Sequence, residues 1–121
     1  MIAPIFEVCA TNDAVTAVLG RSPVRLYPFG LQDDAVVYPY AVWQNVSGTP
    51  ENYLGNRPDA DHFTIQVDAY GDTAAQVIEV AQVLRDAVET HAHITRWGNE
   101  ELDPETKRYR YSFDIDWIVL R

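Results

Sequence analysis

From Tyr109 to Val119 the chain reads YRYSFDIDWIV. Tyr109, Tyr111, Phe113, Ile115, Trp117 and Val119 fall on one side of the alternation, and Arg110, Ser112, Asp114 and Asp116 on the other. A strand turns successive side chains to opposite faces, so this period of two marks a strand buried on one side only. HFTIQVDAY, positions 62 to 70, repeats the pattern, with Phe63, Ile65, Val67 and Ala69 against His62, Thr64, Gln66 and Asp68. Two such strands need an apolar cover. The stretch from Ala74 to Glu89 offers one, because Ala74, Val77, Ile78, Ala81, Leu84 and Val88 recur at helical spacing. Val80, Val83 and Ala87 widen that stripe beyond what one sheet contact needs. Together the three segments restrict the chain to a sheet with helices on one side.

The remaining elements fit around this frame. Positions 4 to 19 read as a helix in two pieces. The first carries Ile5, Phe6 and Cys9, and the second carries Val15, Val18 and Leu19. Asn12 or Asp13 caps the second piece and Gly20 ends it. Short strands are expected at 24–28, at 40–47 after Pro39, and at 93–97. Residues 71–73, GDT, form a turn and helix cap. WGNEELDPETKR, beginning at Trp97, reads as a polar hairpin loop, with turn signals at Gly98-Asn99 and Asp103-Pro104. The expected fold is α+β: a mostly antiparallel sheet of about five strands with two main helices packed on one face, in the order α-β-β-β-α-β-β. The 121 residues make a single domain, 1–121, long enough to bury a core.

The second strand resists this pattern. Tyr40, Val42, Gln44 and Val46 share one face, and Ala41, Trp43 and Asn45 the other. Whichever face is buried, a large apolar group leaves the core. With Tyr70 and Ile118 it would form a patch on the open side of the sheet, and such patches mark partner surfaces. Trp43 and Tyr70 are therefore candidate interface residues.

Chemistry is sparse. No apolar run reaches the roughly 20 residues of a membrane span. The start, MIAPIFEVCA, lacks a basic region and contains Glu7, which suits an amphipathic helix better than a signal peptide. Cys9 is the only cysteine, which excludes an intrachain disulfide and suits a reducing compartment. His91 and His93 form an H-x-H pair without a recognisable third ligand, and imidazoles near a helix end are the plainer reading. Asp68, Asp114 and Asp116 share the polar faces of two strands, where they could hold a divalent cation or act as acid and base. A solvated or subunit-facing sheet surface is the favoured reading, since no nucleophile or phosphate cradle accompanies them. Ser47 and Cys9 belong to no triad, and no glycine-rich phosphate loop occurs. No enzyme activity, metal or cofactor is expected.

The connection between the second and third strands, QNVSGTPENYLGNRPDAD, starts at Gln44 and is long for a hairpin, with Tyr53 and Leu54 near its middle. RLYPFG, then PYAVWQNVSGTPENYLGNRPDADHFTIQVDAYGDT, a helix AAQVIEVAQVLRDAVE and a closing RYRYSFDIDWIV run in this order along nearly the whole chain. The sequence resembles the tail-completion, or tail-terminator, proteins of long-tailed bacteriophages and prophages. That resemblance rests on element order and on the strand-loop-strand phrase, and it carries no catalytic residues. It implies a structural virion protein of the neck, assembled in the bacterial cytoplasm. As a hexameric ring it would cap the major tail tube protein and meet the head-completion or connector proteins. DNA would pass through the lumen without specific binding. On that view Asn52, Tyr53, Leu54, Asn56 and Arg57 belong to an arm reaching a neighbour; a loop folded back on its own sheet is the alternative. Another neck ring, a stand-alone module binding a small ligand or peptide, and a metal-dependent enzyme using the sheet aspartates are the competing readings.

The net charge of −9, with Lys107 as the only lysine, leaves no basic footprint for phosphates. We expect no sub-micromolar binding to duplex DNA at about 150 mM salt in a gel-shift measurement.

Overall fold

The computed structural model describes residues 3–21, 23–31, 37–50, 60–104 and 107–120. Among the described residues three helices, α1 (Ile5–Ala10), α2 (Asp13–Leu19) and α3 (Ala74–Val88), accompany five strands. These are β1 (Leu26–Pro28), β2 (Tyr40–Pro50), β3 (Ala60–Gly71), β4 (His93–Leu102) and β5 (Tyr109–Leu120). The sheet order is β1-β2-β3-β5-β4. Only β1 and β2 run parallel; the other three pairings are antiparallel. The α+β architecture expected from the sequence is the one observed.

Local chemistry sets the helix ends. The Asn12 side chain accepts a hydrogen bond from the Val15 amide at 3.1 Å and opens α2. Gly20 ends α2 at φ +81°, a left-handed conformation that suits glycine. At α3, the Gln76 amide donates to Thr73 Oγ1 while Gln76 Oε1 accepts from the Asp72 amide, so cap and first turn hold each other. The wide apolar stripe of α3 also finds its explanation. One part of α3 packs on β3 and β5, and other parts meet α1 and α2. Val80 and Ala87 are accordingly buried.

The odd-numbered residues of β3 and β5 point into the core as the alternation requires, and Ile65, Val67, Phe113 and Ile115 are fully buried. Trp43 joins them. It sits opposite Val67 on the helix-covered face, 8% exposed, and so belongs to the subunit core rather than to the open face. This corrects its placement in an exposed patch. Tyr40 and Val42 take the other face, opposite Tyr70 and Asp68, and are themselves buried there. Tyr70 and Ile118 do share that face. They lie at opposite ends of it, since Tyr70 pairs with Arg110 and Ile118 with His62, so they form no single patch.

Strands β2 to β5 all run past their expected ends, β4 the furthest. β4 continues through WGNEEL to Leu102, where a polar loop is predicted. Register shifts between Ile94 and Arg96 and between Trp97 and Glu100 interrupt its alternation. Such bulges erase the period of two while leaving the ladder in place. β2 reaches Pro50 past a similar shift between Asn45 and Ser47.

Packing dictates which substitutions matter. Leu84 is 1% exposed and Leu120 79% exposed. Leu84→Ala should cost about 3 kcal/mol, lowering the melting temperature by roughly 10 °C. Leu120→Ala should stay within about 0.5 kcal/mol of the parent in the same thermal melts.

Candidate functional site

The helix-free face of the sheet is built from the even-numbered residues of β3 and β5 with their neighbours on β4. Strand pairing sets Gln66 beside Asp114, Thr64 beside Asp116, and Arg96 beside Asp114. The three aspartates that suggested a metal cluster therefore each meet a partner. Arg110 donates to Asp68 at 3.1 Å and to Glu101 at 3.1 Å. Arg96 Nε lies 2.8 Å from Asp114. Thr64 donates to Asp116 at 3.1 Å, and His62 Nε2 lies 3.4 Å from the same carboxylate. Among the described residues no group of three or more His, Cys, Asp or Glu side chains could hold a metal ion. His91 and His93 do not act as a pair. His91 stacks against the core residue Trp117, with ring centroids 6.3 Å apart, while His93 opens β4 opposite Asp116.

One end of this face differs from the rest. Tyr40 and Tyr70, opposite each other on β2 and β3, stack with centroids 4.9 Å apart and planes 16° from parallel. Tyr38 tilts against Tyr40 at 5.3 Å, and Tyr27 meets Tyr40 edge-on at 6.2 Å. The Arg108 guanidinium lies 4.5 Å above the Tyr38 ring and also pairs with Asp72. The segment leading into β2 contains a cis Tyr38–Pro39 peptide, and Arg25 anchors it by donating to the Pro39 and Val18 carbonyls at 2.9 and 3.2 Å. Tyr38, Tyr40, Tyr70 and Arg108 border an open pocket of about 440 Å³. Tyr38, Tyr40 and Tyr70 supply its aromatic wall, while Glu101, Asp103 and Arg108 supply its charged rim. Arg110 Nε is buried and has no hydrogen-bond partner among the described residues. Burial, reinforced by the neighbouring tyrosines, pushes the Tyr40 hydroxyl up to about 12. Burial, followed by the Asp68 carboxylate, raises Tyr70 as well.

Of the interface residues expected from the sequence, Tyr70 stands in this pocket and Trp43 is in the core. Asn52, Tyr53, Leu54, Asn56 and Arg57 lie outside the described residues. Sequence reading missed Tyr38, Tyr40, Arg108 and Arg110 as members of one site. The signal available was the Tyr-Pro-Tyr triplet at 38–40. What joins it to Arg108 is the pairing of β2 with β3 and of β3 with β5, which links residues far apart in the chain.

The geometry describes an aromatic pocket with ion-paired flanks. Over residues 3–120 the sequence matches the family described as Tail completion protein gp17. The chain belongs to that family. It is a structural protein of a phage-type tail. No curated protein matches it in sequence. Among solved structures, a chain from the virion of a native gene transfer agent particle superimposes with a TM-score of 0.75. That likeness covers 97% of this chain and 92% of the other at 9% identity, and it shows a shared fold.

The buried protons of the site give a pH signature. Tyr40 keeps its proton to about pH 12 in the folded protein, whereas an unperturbed tyrosine ionises near 10. Buried Cys9 behaves likewise, its thiol raised from 9.0 to about 12. Through that interval the unfolded chain binds fewer protons than the folded one, so stability falls as pH rises. Thermal melts should show a decline setting in above about pH 9. Tyr40→Phe should make the part of that decline above about pH 10 shallower.

Proposed function

We propose that this protein is a ring-forming tail terminator of the phage neck, one that caps the finished tail tube and joins it to the head connector. The observation that carries the reading is the family match, which runs from the N-terminal helices to the last strand. Six copies form the ring. One face meets the major tail tube protein, the other meets the head-completion or connector proteins, and the assembled location is the virion. Support for a virion location comes from the likeness to a chain of a gene transfer agent virion.

The subunit suits such a role physically. A closed ring needs two different surfaces that complement each other, one toward each neighbour. Asn52, Tyr53, Leu54, Asn56 and Arg57 form the arm of one surface, and Tyr70 belongs to the other. The net charge of −9 suits a lumen through which DNA slides, because like charge discourages adhesion. The ion-paired polar face of β3 and β5 needs no apolar cover and tolerates water.

The direct test is to inactivate the gene in its phage or prophage and image the products. Tubes of uncontrolled length and unjoined heads are expected; tails of normal length joined to heads would rule the reading out. A second expectation concerns the arm. Tyr53→Ala with Leu54→Ala should leave the subunit's melting temperature almost unchanged, because loop substitutions usually shift stability by no more than about 0.5 kcal/mol. Buried aromatic anchors carry about 2 kcal/mol or more of binding, and every subunit of a ring would lose that contact at once. The double variant should therefore fold normally and fail to assemble, as read by melting and by electron microscopy of tails.

A further inference from the structure

We infer that the tyrosine pocket at the β2–β3–β5 end is the receptor for residues 51–59 of a second copy of this chain. This inference rests on the ring reading above and names the contact that would close the ring. Reach excludes the segment of the same subunit. Residues 51–59 join Pro50 to Ala60, and Pro50 pairs with Asp61 at one end of the sheet. Tyr40 pairs with Tyr70 at the other end, where the pocket lies. Nine residue steps of β3 separate Asp61 from Tyr70, a span of about 30 Å. A segment of nine residues anchored at both ends extends at most about 17 Å from its anchors, half its full contour. A subunit therefore cannot fill its own pocket with this segment, whereas a neighbour's segment enters freely.

Side-chain chemistry matches the segment to the pocket. The segment reads ENYLGNRPD, with Tyr53 and Leu54 as its apolar pair and Arg57 as its cation. Tyr38, Tyr40 and Tyr70 line the pocket, and its volume of about 440 Å³ suits one aromatic and one aliphatic side chain. Glu101 and Asp103 on the rim complement Arg57, while Arg108 complements Glu51 or Asp59. Leu102, 49% exposed at the same rim, extends the apolar contact.

Pro50 and Ala60, which flank the segment, lie at the opposite end of the subunit from the pocket, so such a contact runs head to tail. Contacts of that kind produce a closed ring when the rotation closes and a filament when it does not.

The experiment pairs Leu54→Cys with Leu102→Cys and applies mild oxidation to the protein in solution and on assembled tails. A disulfide requires the two Cα atoms to approach within about 7 Å. Native Cys9 is fully buried and leaves little background. The expected result on a non-reducing gel is loss of the monomer band and a ladder of covalent oligomers, absent from either single variant. Arg57→Cys with Asp103→Cys serves as a second pair, should the first disturb folding. A disulfide confined to one chain overturns the inference. Rings seen by electron microscopy without a ladder from either pair overturn it too, while leaving the tail-terminator reading intact. Neither rings nor ladder, in solution or on tails, would overturn both.

Discussion

The ladder between β3 and β5 is the constraint on which the rest of the molecule depends. It runs unbroken from Ala60 opposite Leu120 to Gly71 opposite Tyr109. Because the pairing has no bulge, each strand's alternation is preserved across both. Ile65 meets Ile115 and Val67 meets Phe113 on the covered side, and Thr64 meets Asp116 on the open side. A slip of one residue would turn Phe113 and Ile115 to water and Asp114 into the core. Burial of those two side chains makes such a slip costly, and so the apolar face fixes the polar one.

That rigid centre lets the periphery be irregular. β4 bulges twice and β2 once, yet each remains paired to a regular neighbour. Bulges twist and shorten edges, and they discourage unwanted edge-to-edge pairing. The open face is held by ion pairs whose guanidinium groups remain partly exposed to solvent, so its contribution to stability is small. Its value lies in placement. Arg110 bridges Asp68 and Glu101 and so ties β3, β4 and β5 together beside the tyrosine pocket.

Much of the fold was legible in the chain. The alternation of 109–119 and 62–70 and the helical stripe of 74–89 needed only local periodicity, and Asn12, Gly20 and Thr73 act as ends for local reasons. The extent of β4 was not legible, since Gly98-Asn99 signals a turn while its bulge remains within the ladder. Trp43 was misplaced for a different reason. The first residues of β2 are apolar on both faces, because tyrosines cover the side opposite the helices, and a strand buried on both sides carries no alternation to read.

The sequence by itself determined the main helices, the two central strands with their buried side, and the membership of a tail-completion family. It did so because strand and helix periodicity act over two to four residues, and because the match follows the order of elements along the chain. Only the tertiary structure decided that Tyr38, Tyr40, Tyr70, Arg108 and Arg110 form one site, and that this site lies at the opposite end of the sheet from Pro50 and Ala60. Those relations depend on strand order and register, which join residues such as Asp68 and Arg110 across 42 positions. No local pattern encodes a contact of that separation, because it forms only when several buried faces are satisfied at once.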